Sequence, residues 1–327
     1  MSLPDAKESI ATLGWGTSVK PGIELPSPSV WPTIARLASS NKVMKRPGHP
    51  CPPLTLEPPP MNESRWRLAC FAGTLCLMAL LEWLAPRKQR VAPRSARWLS
   101  HLGLVAINTL AARLLIPVSA VAAATWAQTH HWGLLHHVQW TVWAEFTLAL
   151  VLLDLAIYGQ HVLSHRIPWL WQLHKVHHAD LDLDVTSGIR FHTLEILLSA
   201  VFKLGLVLVL GPSGLAVMVF EIILNGASLW SHSNVRIPLG IDRWLRLILV
   251  TPDMHRVHHS VLVNETNSNF GFQLPWWDFL FRTYRAQPQA GHDEMVIGLA
   301  APRNEQQVIR LTGLLEMPFR REPPTEG

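Results

Sequence analysis

The sequence predicts an all-α fold: an integral membrane helical bundle with about four spans, or with three spans and a re-entrant hairpin. Hydrophobic residues make up 49% of the 327 residues and charged residues only 16%, against roughly 25% charged residues in soluble domains. Four long apolar segments are separated by polar connectors. We favour membrane spans over the buried helices of a large soluble bundle because so few charges accompany these segments.

The composition also excludes several classes of protein. The net charge of +5 is small for 327 residues, so a nucleic-acid-binding protein that relies on a basic surface is excluded. The cysteines, Cys51, Cys70 and Cys76, are too few for a disulfide framework or a four-thiolate metal cluster. High hydrophobicity excludes a disordered chain.

The four apolar segments are predicted to be helices embedded in a membrane, whose hydrocarbon core takes about 20 helical residues to cross. They comprise residues 68–85, 99–127, 141–158 and 194–230. Gly-Pro-Ser-Gly at 211–214 divides the fourth segment into halves of 17 and 16 residues. Because Pro and Gly stop helices and form turns, this segment is predicted to be either a hairpin of two short helices or a re-entrant pair.

Three regions are predicted along the chain. Residues 1–60 carry 12 of the 25 prolines and are predicted to be a disordered, Pro-rich tail. Met61 closely precedes the first apolar segment and could be the start of translation. The tail is therefore either a linker or an extension upstream of that start. A catalytic domain at 61–290 and a C-terminal tail at 291–327 follow.

The charges of the connectors predict the orientation. Residues 87–97 contain five Lys or Arg residues, whereas residues 130–139 contain none. The positive-inside rule places the first connector in the cytoplasm and the second outside. If the 194–230 segment enters and leaves the membrane on one face, the chain from His161 onward is cytoplasmic apart from that segment.

Histidine is unusually frequent, with 17 residues, and short histidine clusters follow the third apolar segment. The sequence contains HxxxH at 161–165 and HxxHH at both 174–178 and 255–259. Residues three and four positions apart on a helix are neighbours, so each cluster is predicted to present two or three imidazoles to one point. With the isolated His192 and His232, there are ten candidate metal ligands: His161, His165, His174, His177, His178, His192, His232, His255, His258 and His259.

Ten imidazoles are too many for a single structural zinc, which takes four ligands. They divide into five for each of two six-coordinate ions, which leaves each ion one open position for a reactant such as dioxygen. Four nearby polar side chains are predicted to orient the imidazoles by hydrogen bonding to their second nitrogen: Asp154, Glu195, Asn234 and Asp253.

The other seven histidines show no comparable arrangement: His49, His101, His130, His131, His136, His137 and His292. Four of them lie in the sequence HHWGLLHH at 130–137. We interpret this run as a loop at the outer membrane interface rather than as a second metal site.

These motifs resemble those of the fatty acid hydroxylase/sterol desaturase superfamily. The resemblance covers residues 154–284 and is carried by HVLSH (161–165), HKVHH (174–178), RFHTLE (190–195), HSN (232–234), HRVHH (255–259), NFG (269–271) and WDFLFRTY (277–284). Two positions depart from the family pattern. Thr193 stands where the family usually has Pro, and Arg282 stands where Gly often precedes Thr-Tyr.

The resemblance implies a non-haem di-iron centre, with two iron ions held by histidines at the cytoplasmic face of a helical membrane bundle. It implies oxygen-dependent hydroxylation or desaturation of a lipid, of sterol or fatty-acyl type. The ligand role falls on the histidines of the three clusters, with His192 and His232 completing the set.

Electrons are expected from an external donor, either a ferredoxin or a b-type cytochrome with its reductase. The chain has no Gly-rich dinucleotide motif after a strand and too few cysteines for an iron–sulfur cluster. Two alternatives to the oxygenase remain open from the residues alone: a zinc-dependent membrane hydrolase, and a non-catalytic metal-binding membrane protein.

Overall fold

The structure is a computed structural model that describes residues 63–320. The predicted tail at 1–60 lies outside the described residues. Residues 63–320 form α-helices and short 3-10 turns, with no β-strand among them. The all-α class predicted from the sequence is therefore confirmed for this part of the chain.

Seven of the helices are long. They are α1 (Glu63–Leu84), α2 (Arg94–Leu115), α3 (Ala120–Thr129), α4 (Val142–Arg166), α5 (Pro168–His178), α6 (Thr193–Leu210) and α7 (Gly214–Ser231). Seven short helices follow: α8 (Leu239–Leu245), α9 (Pro252–His258), α10 (Val263–Thr266), α11 (Trp276–Leu280), α12 (Gly291–Glu294), α13 (Glu305–Val308) and α14 (Leu311–Glu316). The 3-10 turns are Leu134–His137, Val185–Ile189 and Met317–Phe319.

Five segments of the described chain are long and apolar enough to cross a membrane. They are Glu63–Leu84, Arg94–His137, Val142–Arg166, Thr193–Leu210 and Gly214–Ser231. Each of the four apolar segments predicted from the sequence overlaps one or two of them. Their outward faces carry many large exposed apolar side chains, including Leu68, Leu110, Trp143 and Val201, as expected for helices whose solvent is lipid.

Pro117 and Gly211 interrupt the apolar helices at two places. Helix α2 stops at Leu115, before Pro117, because proline lacks the N–H that a helix needs and disfavours helical geometry at the preceding residue. Gly211 follows α6 with φ +66, a left-handed conformation that glycine adopts without steric cost. A Cβ there would lie 2.2 Å from the carbonyl oxygen of Trp132. The 194–230 segment is thus two helices of 18 residues each, joined by a tight turn.

The turn between α6 and α7 marks one end of the bundle. The backbone N–H of Ser213 donates to Glu145 Oε1 near the start of α4, at 2.9 Å. The ends of α1 and α7 meet at the opposite end, where Glu82 Oε1 accepts from the backbone N–H of Asn234 at 2.9 Å. This second end also contains the end of α4, the start of α6, and helices α5 and α9; we call it the histidine end.

Residues predicted to be a C-terminal tail pack onto this domain as far as the structure describes them. Ile309, Leu314 and Met317 are buried together with Leu104 of α2. Gly103 permits this contact, because a Cβ there would lie 2.8 Å from a methyl group of Leu311. The helices in this region have only four to six residues, which gives too little periodicity for them to be recognised from the sequence.

Candidate metal centre

Five imidazoles meet at the histidine end in a first group. Their ligand atoms lie within 4.8 Å of one another, and they belong to His161, His165, His174, His178 and His258. His161 and His165 share one face of α4, and His174 and His178 share one face of α5. Pro168 is the first residue of α5, and the extended Ile167 before it turns the chain so that the two faces meet.

Four further imidazoles form a second group: His177, His232, His255 and His259. His232 caps the C-terminus of α7, and its Nε2 atom lies 3.0 Å from Nε2 of His177 and 3.1 Å from Nε2 of His255. The two groups are adjacent, because His177 and His178 are consecutive and their ring centroids are 5.4 Å apart.

The two HxxHH clusters each divide between the groups. In HKVHH, His174 and His178 enter the first group and His177 the second. In HRVHH, His258 enters the first group and His255 and His259 the second. The prediction that three imidazoles of one cluster point to a single position was therefore wrong. Histidines four positions apart lie nearly one above the other on a helix. The remaining histidine of each cluster, His177 or His258, points in a different direction around the helix and meets a different neighbour.

The hydrogen bonds of three rings leave Nε2 available for a metal. Nδ1 of His161 donates to the carbonyl of Phe270, Nδ1 of His258 to that of Ser268, and Nδ1 of His232 to that of Ser228, each at 2.7 Å. A carbonyl oxygen only accepts, so these Nδ1 atoms carry the proton and Nε2 is a lone pair. Nε2 of His161 and Nε2 of His258 nevertheless lie 3.0 Å apart. Two lone pairs at this separation repel each other unless a cation lies between them, so the donor set fits a metal ion.

Several other ring nitrogens support the same fit. Eight of the nine imidazoles are at most 3% exposed. Within residues 63–320, five buried ring nitrogens of the two groups have no hydrogen-bond partner: Nε2 of His165 and His178, and Nδ1 of His177, His255 and His259. Buried polar atoms without a partner are rare and indicate a bound group.

Burial keeps these rings in the form that binds metal. It lowers the pKa of His177, His178 and His258 well below the usual histidine value, and lowers that of His232 to about 4. The neighbouring imidazoles lower the pKa of His178 and His258 further. The rings are consequently neutral at pH 7, and a neutral imidazole is the ligand that metal ions require.

His192 is the one predicted ligand that the structure does not bring to either group. It caps the start of α6, where its Nδ1 accepts from the backbone N–H of Leu194 at 3.2 Å. Its Nε2 donates to the carbonyl of Leu315 at 3.2 Å. Both ring nitrogens are thus engaged within the fold, and the predicted division into five and five is corrected to five and four.

Only one of the four residues predicted to orient imidazoles does so in the structure. Nδ1 of His174 lies 2.6 Å from Oε1 of Glu195. Asp154 instead accepts from the indole N–H of Trp277 at 2.8 Å. The side chains of the other two contact the 85–93 connector, since Asn234 bonds to the backbone of Lys88 and Asp253 pairs with Arg87.

Asp278 and Asn269 support the two histidine groups, although the sequence did not identify them individually. Asp278 accepts from the backbone N–H groups of Phe270 and Gly271 at 2.8 and 2.9 Å. It thereby fixes the loop whose Phe270 carbonyl orients His161. Asn269 donates to the carbonyl of Met254 in α9 at 2.9 Å. The motifs NFG and WDFLFRTY, which contain these residues, were the available signal.

A buried ionic cluster fixes the segment after α5. Nε and Nη2 of Arg97 bond to the two carboxylate oxygens of Asp180 at 2.7 Å each, and Nη1 bonds to Asp184 at 2.6 Å. All three side chains are fully buried. Arg190 donates to the carbonyl of Val176 within α5 at 2.8 Å. The recurrence of Asp at 180, 182 and 184, and Arg190 at the start of the motif RFHTLE, were the sequence signals for this cluster.

The remaining histidines of the described chain belong to neither group. His101 of α2 contacts Thr186 at 2.9 Å. The HHWGLLHH run lies beside the turn between α6 and α7, where Gly133 and Gly211 are in close contact. It is therefore at the end of the bundle opposite the two groups.

A cavity of about 510 Å³ extends from the first histidine group between the apolar helices. His161, His174 and Glu195 line it at the histidine end, together with Phe191 and Phe272. Other lining residues belong to α1, α2, α4, α6 and α7. The site thus combines two groups of imidazoles with an adjoining space large enough for part of a lipid.

Comparisons with known proteins agree with this geometry. Residues 146–283 match the family model for fatty acid hydroxylase, and this range includes all nine grouped histidines. No solved structure matches the chain significantly.

Three curated relatives illustrate the similarity. The ornithine lipid hydroxylase of Rhizobium tropici is 27% identical over 245 residues, which cover 71% of this chain and 71% of that protein. The human alkylglycerol monooxygenase is 31% identical over 173 residues, which cover 53% of this chain and 36% of that protein. The rat cholesterol 25-hydroxylase is 28% identical over 149 residues, which cover 44% and 47%.

The superfamily resemblance predicted from the histidine clusters is confirmed by these matches. This chain covers 71% of the length of the first relative and less than half of the length of the other two. The family model for fatty acid hydroxylase matches residues 146–283 of this chain, and these residues contain the nine histidines that the fold brings together.

Proposed function

We propose that this protein is a membrane-bound di-iron oxygenase that uses dioxygen to hydroxylate a C–H bond of a lipid. The observation that carries the proposal is the pair of adjacent all-histidine groups, with five and four imidazoles. Imidazole suits iron, and a site with few ligands per ion leaves positions for a reactant. The enzyme class follows from the family match, and the relatives are named hydroxylases and monooxygenases.

Hydroxylation is favoured over desaturation by the names of these relatives. One acts on ornithine lipids, one on alkylglycerols and one on cholesterol, so a lipid substrate is the common element. The adjoining cavity supports a lipid substrate, because apolar helices line most of the cavity and the cavity reaches His161 and His174.

The residues of this chain hold the ions, orient the ligands and exclude water. His161, His165, His174, His178 and His258 hold one ion, and His177, His232, His255 and His259 hold the other. Two bound iron ions supply activation of dioxygen and oxidation of a C–H bond. Glu195 keeps the proton of His174 on Nδ1, so that Nε2 remains a ligand. Phe191 and Phe272 line the cavity beside these rings and keep bulk water from the site.

We further propose that the histidine end faces the cytoplasm and that electrons come from a ferredoxin or from a b-type cytochrome with its reductase. The basic connector at 87–97 lies at the histidine end, where Arg87 pairs with Asp253. The positive-inside rule then supports the cytoplasmic side. Labelling of a cysteine introduced at exposed Arg243, in intact cells, tests this orientation; labelling from the outside contradicts it.

The reaction is tested in cells that express the protein together with a ferredoxin and its reductase. The lipid extract should contain a new hydroxylated lipid in air, with the oxygen atom derived from labelled dioxygen, and none under anaerobic conditions. A variant with His258→Asn should lose the product. A new lipid formed equally well without oxygen contradicts the proposal and favours a zinc-dependent hydrolase. Purified protein with no bound iron after growth in iron-rich medium contradicts it as well.

A further inference from the structure

Three cationic side chains line the cavity that adjoins the metal centre: Arg67 of α1, Arg113 of α2 and Lys203 of α6. Each belongs to a helix that is apolar and long enough to cross a membrane. A charged residue within a membrane span is energetically costly and generally has a functional reason. The positions of these cations relative to the imidazoles indicate what they bind.

Two carboxylates, Glu63 on α1 and Glu221 on α7, neutralise two of the three cations. Nη1 of Arg67 lies 2.6 Å from Glu63 and 2.8 Å from the buried Glu221. Nζ of Lys203 also contacts Glu221. Two cations therefore share two carboxylates. This polar cluster links α1, α7 and α6 at the wall of the cavity.

Arg113 differs, because it forms no ion pair or hydrogen bond with any residue in the described range 63–320. Its side chain is exposed, although it lies two residues from the end of apolar helix α2 and lines the cavity. The guanidinium group remains charged in proteins. The cavity thus carries one positive charge that the described residues do not balance.

The charged residues lie at a defined distance from the metal centre. Glu195 bonds to His174, and Lys203 follows it by eight residues on α6, which corresponds to about 12 Å of helix. On α2, Asn108 bonds to Thr193 at the start of α6 at 2.7 Å, and Arg113 lies about 7.5 Å farther along the helix. The cations are therefore on the membrane side of the metal centre, within reach of one extended lipid chain.

We propose that Arg113 binds the anionic group, a carboxylate or a phosphate, of the lipid that this enzyme oxidises. The apolar chain of that lipid extends along the cavity toward His161 and His174. The planar guanidinium group bonds to a carboxylate or phosphate with two parallel N–H donors, and the surrounding apolar helices strengthen the attraction. This inference rests on the proposed function and narrows its substrate class to anionic amphiphiles.

Equilibrium binding of three amphiphiles that share a twelve-carbon chain tests this assignment. Labelled dodecyl phosphate, laurate and dodecanol are titrated into the purified full-length protein in an uncharged detergent, without oxygen or reductant. Wild-type protein should bind at least one of the two anions about tenfold more tightly than dodecanol, as expected for one charge-assisted interaction. The phosphate and laurate arms show which anion is preferred.

Arg113→Gln should abolish the preference for the anion and leave dodecanol binding unchanged, whereas Arg113→Lys should retain part of it. The matched control is Arg243→Gln, which removes an exposed guanidinium group outside the cavity; its anion preference should equal that of the wild type. Ala200→Phe, which adds volume within the cavity, should weaken the binding of all three amphiphiles.

Three results would overturn the assignment: no anion preference in the wild type, an unchanged preference in Arg113→Gln, or full binding in Ala200→Phe. Because binding is measured without turnover, failure of the oxygenase proposal is seen separately. A protein that prefers the anions but forms no hydroxylated lipid keeps the subsite and loses the proposed reaction. A protein that hydroxylates a lipid without this preference keeps the reaction and loses the subsite.

Discussion

Oε1 of Glu195 lies 2.6 Å from Nδ1 of His174, which links the first turn of α6 to the ligand-bearing face of α5. The carboxylate belongs to an apolar helix, and the imidazole belongs to the first histidine group. The carboxylate that bonds to an imidazole of the first group therefore also lines the cavity. Glu195 and His174, which are in contact with each other, both line the cavity.

Glu195→Ala should lower the affinity for iron about 10- to 100-fold, the usual effect of losing a hydrogen-bond partner of a ligating histidine. Glu195→Gln should lower it less, because its amide oxygen still accepts from Nδ1. Iron content measured by elemental analysis after dialysis tests both variants. The control is Asp154→Asn, which keeps an acceptor for the Trp277 indole and should leave iron content unchanged. Equal iron loss in Asp154→Asn would contradict the distinction between these two carboxylates.

His232→Asn should reduce bound iron from about two ions to about one, because it removes one of only four imidazoles in the second group. His192→Asn should retain both ions. Asparagine is a favoured helix N-cap residue, so this replacement preserves the cap that His192 provides for α6. The two purified variants are compared for iron per polypeptide. Iron loss in His192→Asn comparable to that in His232→Asn would restore His192 as a ligand.

Arg97→Met should destabilise the protein by about 3–5 kcal/mol, the typical cost of removing one partner of a buried ion pair. The substitution leaves the buried carboxylate of Asp184 without its guanidinium partner, and leaves Asp180 only Arg190, at 3.3 Å, as a guanidinium partner. Arg97→Lys should also destabilise, because lysine lacks the two-pronged geometry. Thermal unfolding in detergent measures these changes. Arg94→Met is the control, since Arg94 is a third exposed in its pair with Glu82 and should cost at most about 1 kcal/mol.

Removal of metal with a chelator should lower the unfolding temperature, and added ferrous iron should restore it. Without a cation, the converging Nε2 atoms of His161 and His258 repel each other. A ligand present at 100 times its dissociation constant stabilises the folded state by about 2.7 kcal/mol. The measurement is thermal unfolding of the purified protein before and after chelation. An unfolding temperature independent of the metal would argue against bound ions in these two groups.

The sequence by itself determined the class of the fold and the identity of most of the site. Helix periodicity and the number of apolar residues that cross a membrane are properties of short stretches of sequence. The apolar segments, the turn at Gly211 and the paired faces of HxxxH and HxxHH could therefore be recognised without coordinates. Nine of the ten predicted ligands lie in the two groups. The resemblance to the fatty acid hydroxylase/sterol desaturase superfamily followed from the same motifs and is confirmed by the match at 146–283.

The tertiary structure alone decided how the ligands divide and what supports them. His177 and His178 are adjacent in sequence but enter different groups, because the partner of each ring comes from a distant helix. His192 was excluded for the same reason: the carbonyl of Leu315, 123 residues away, engages its second nitrogen. Asp154 and Glu195 are both acidic residues close in sequence to predicted ligands, yet only Glu195 contacts one. Hydrogen-bond partners of buried polar groups depend on long-range packing, which local sequence patterns do not encode.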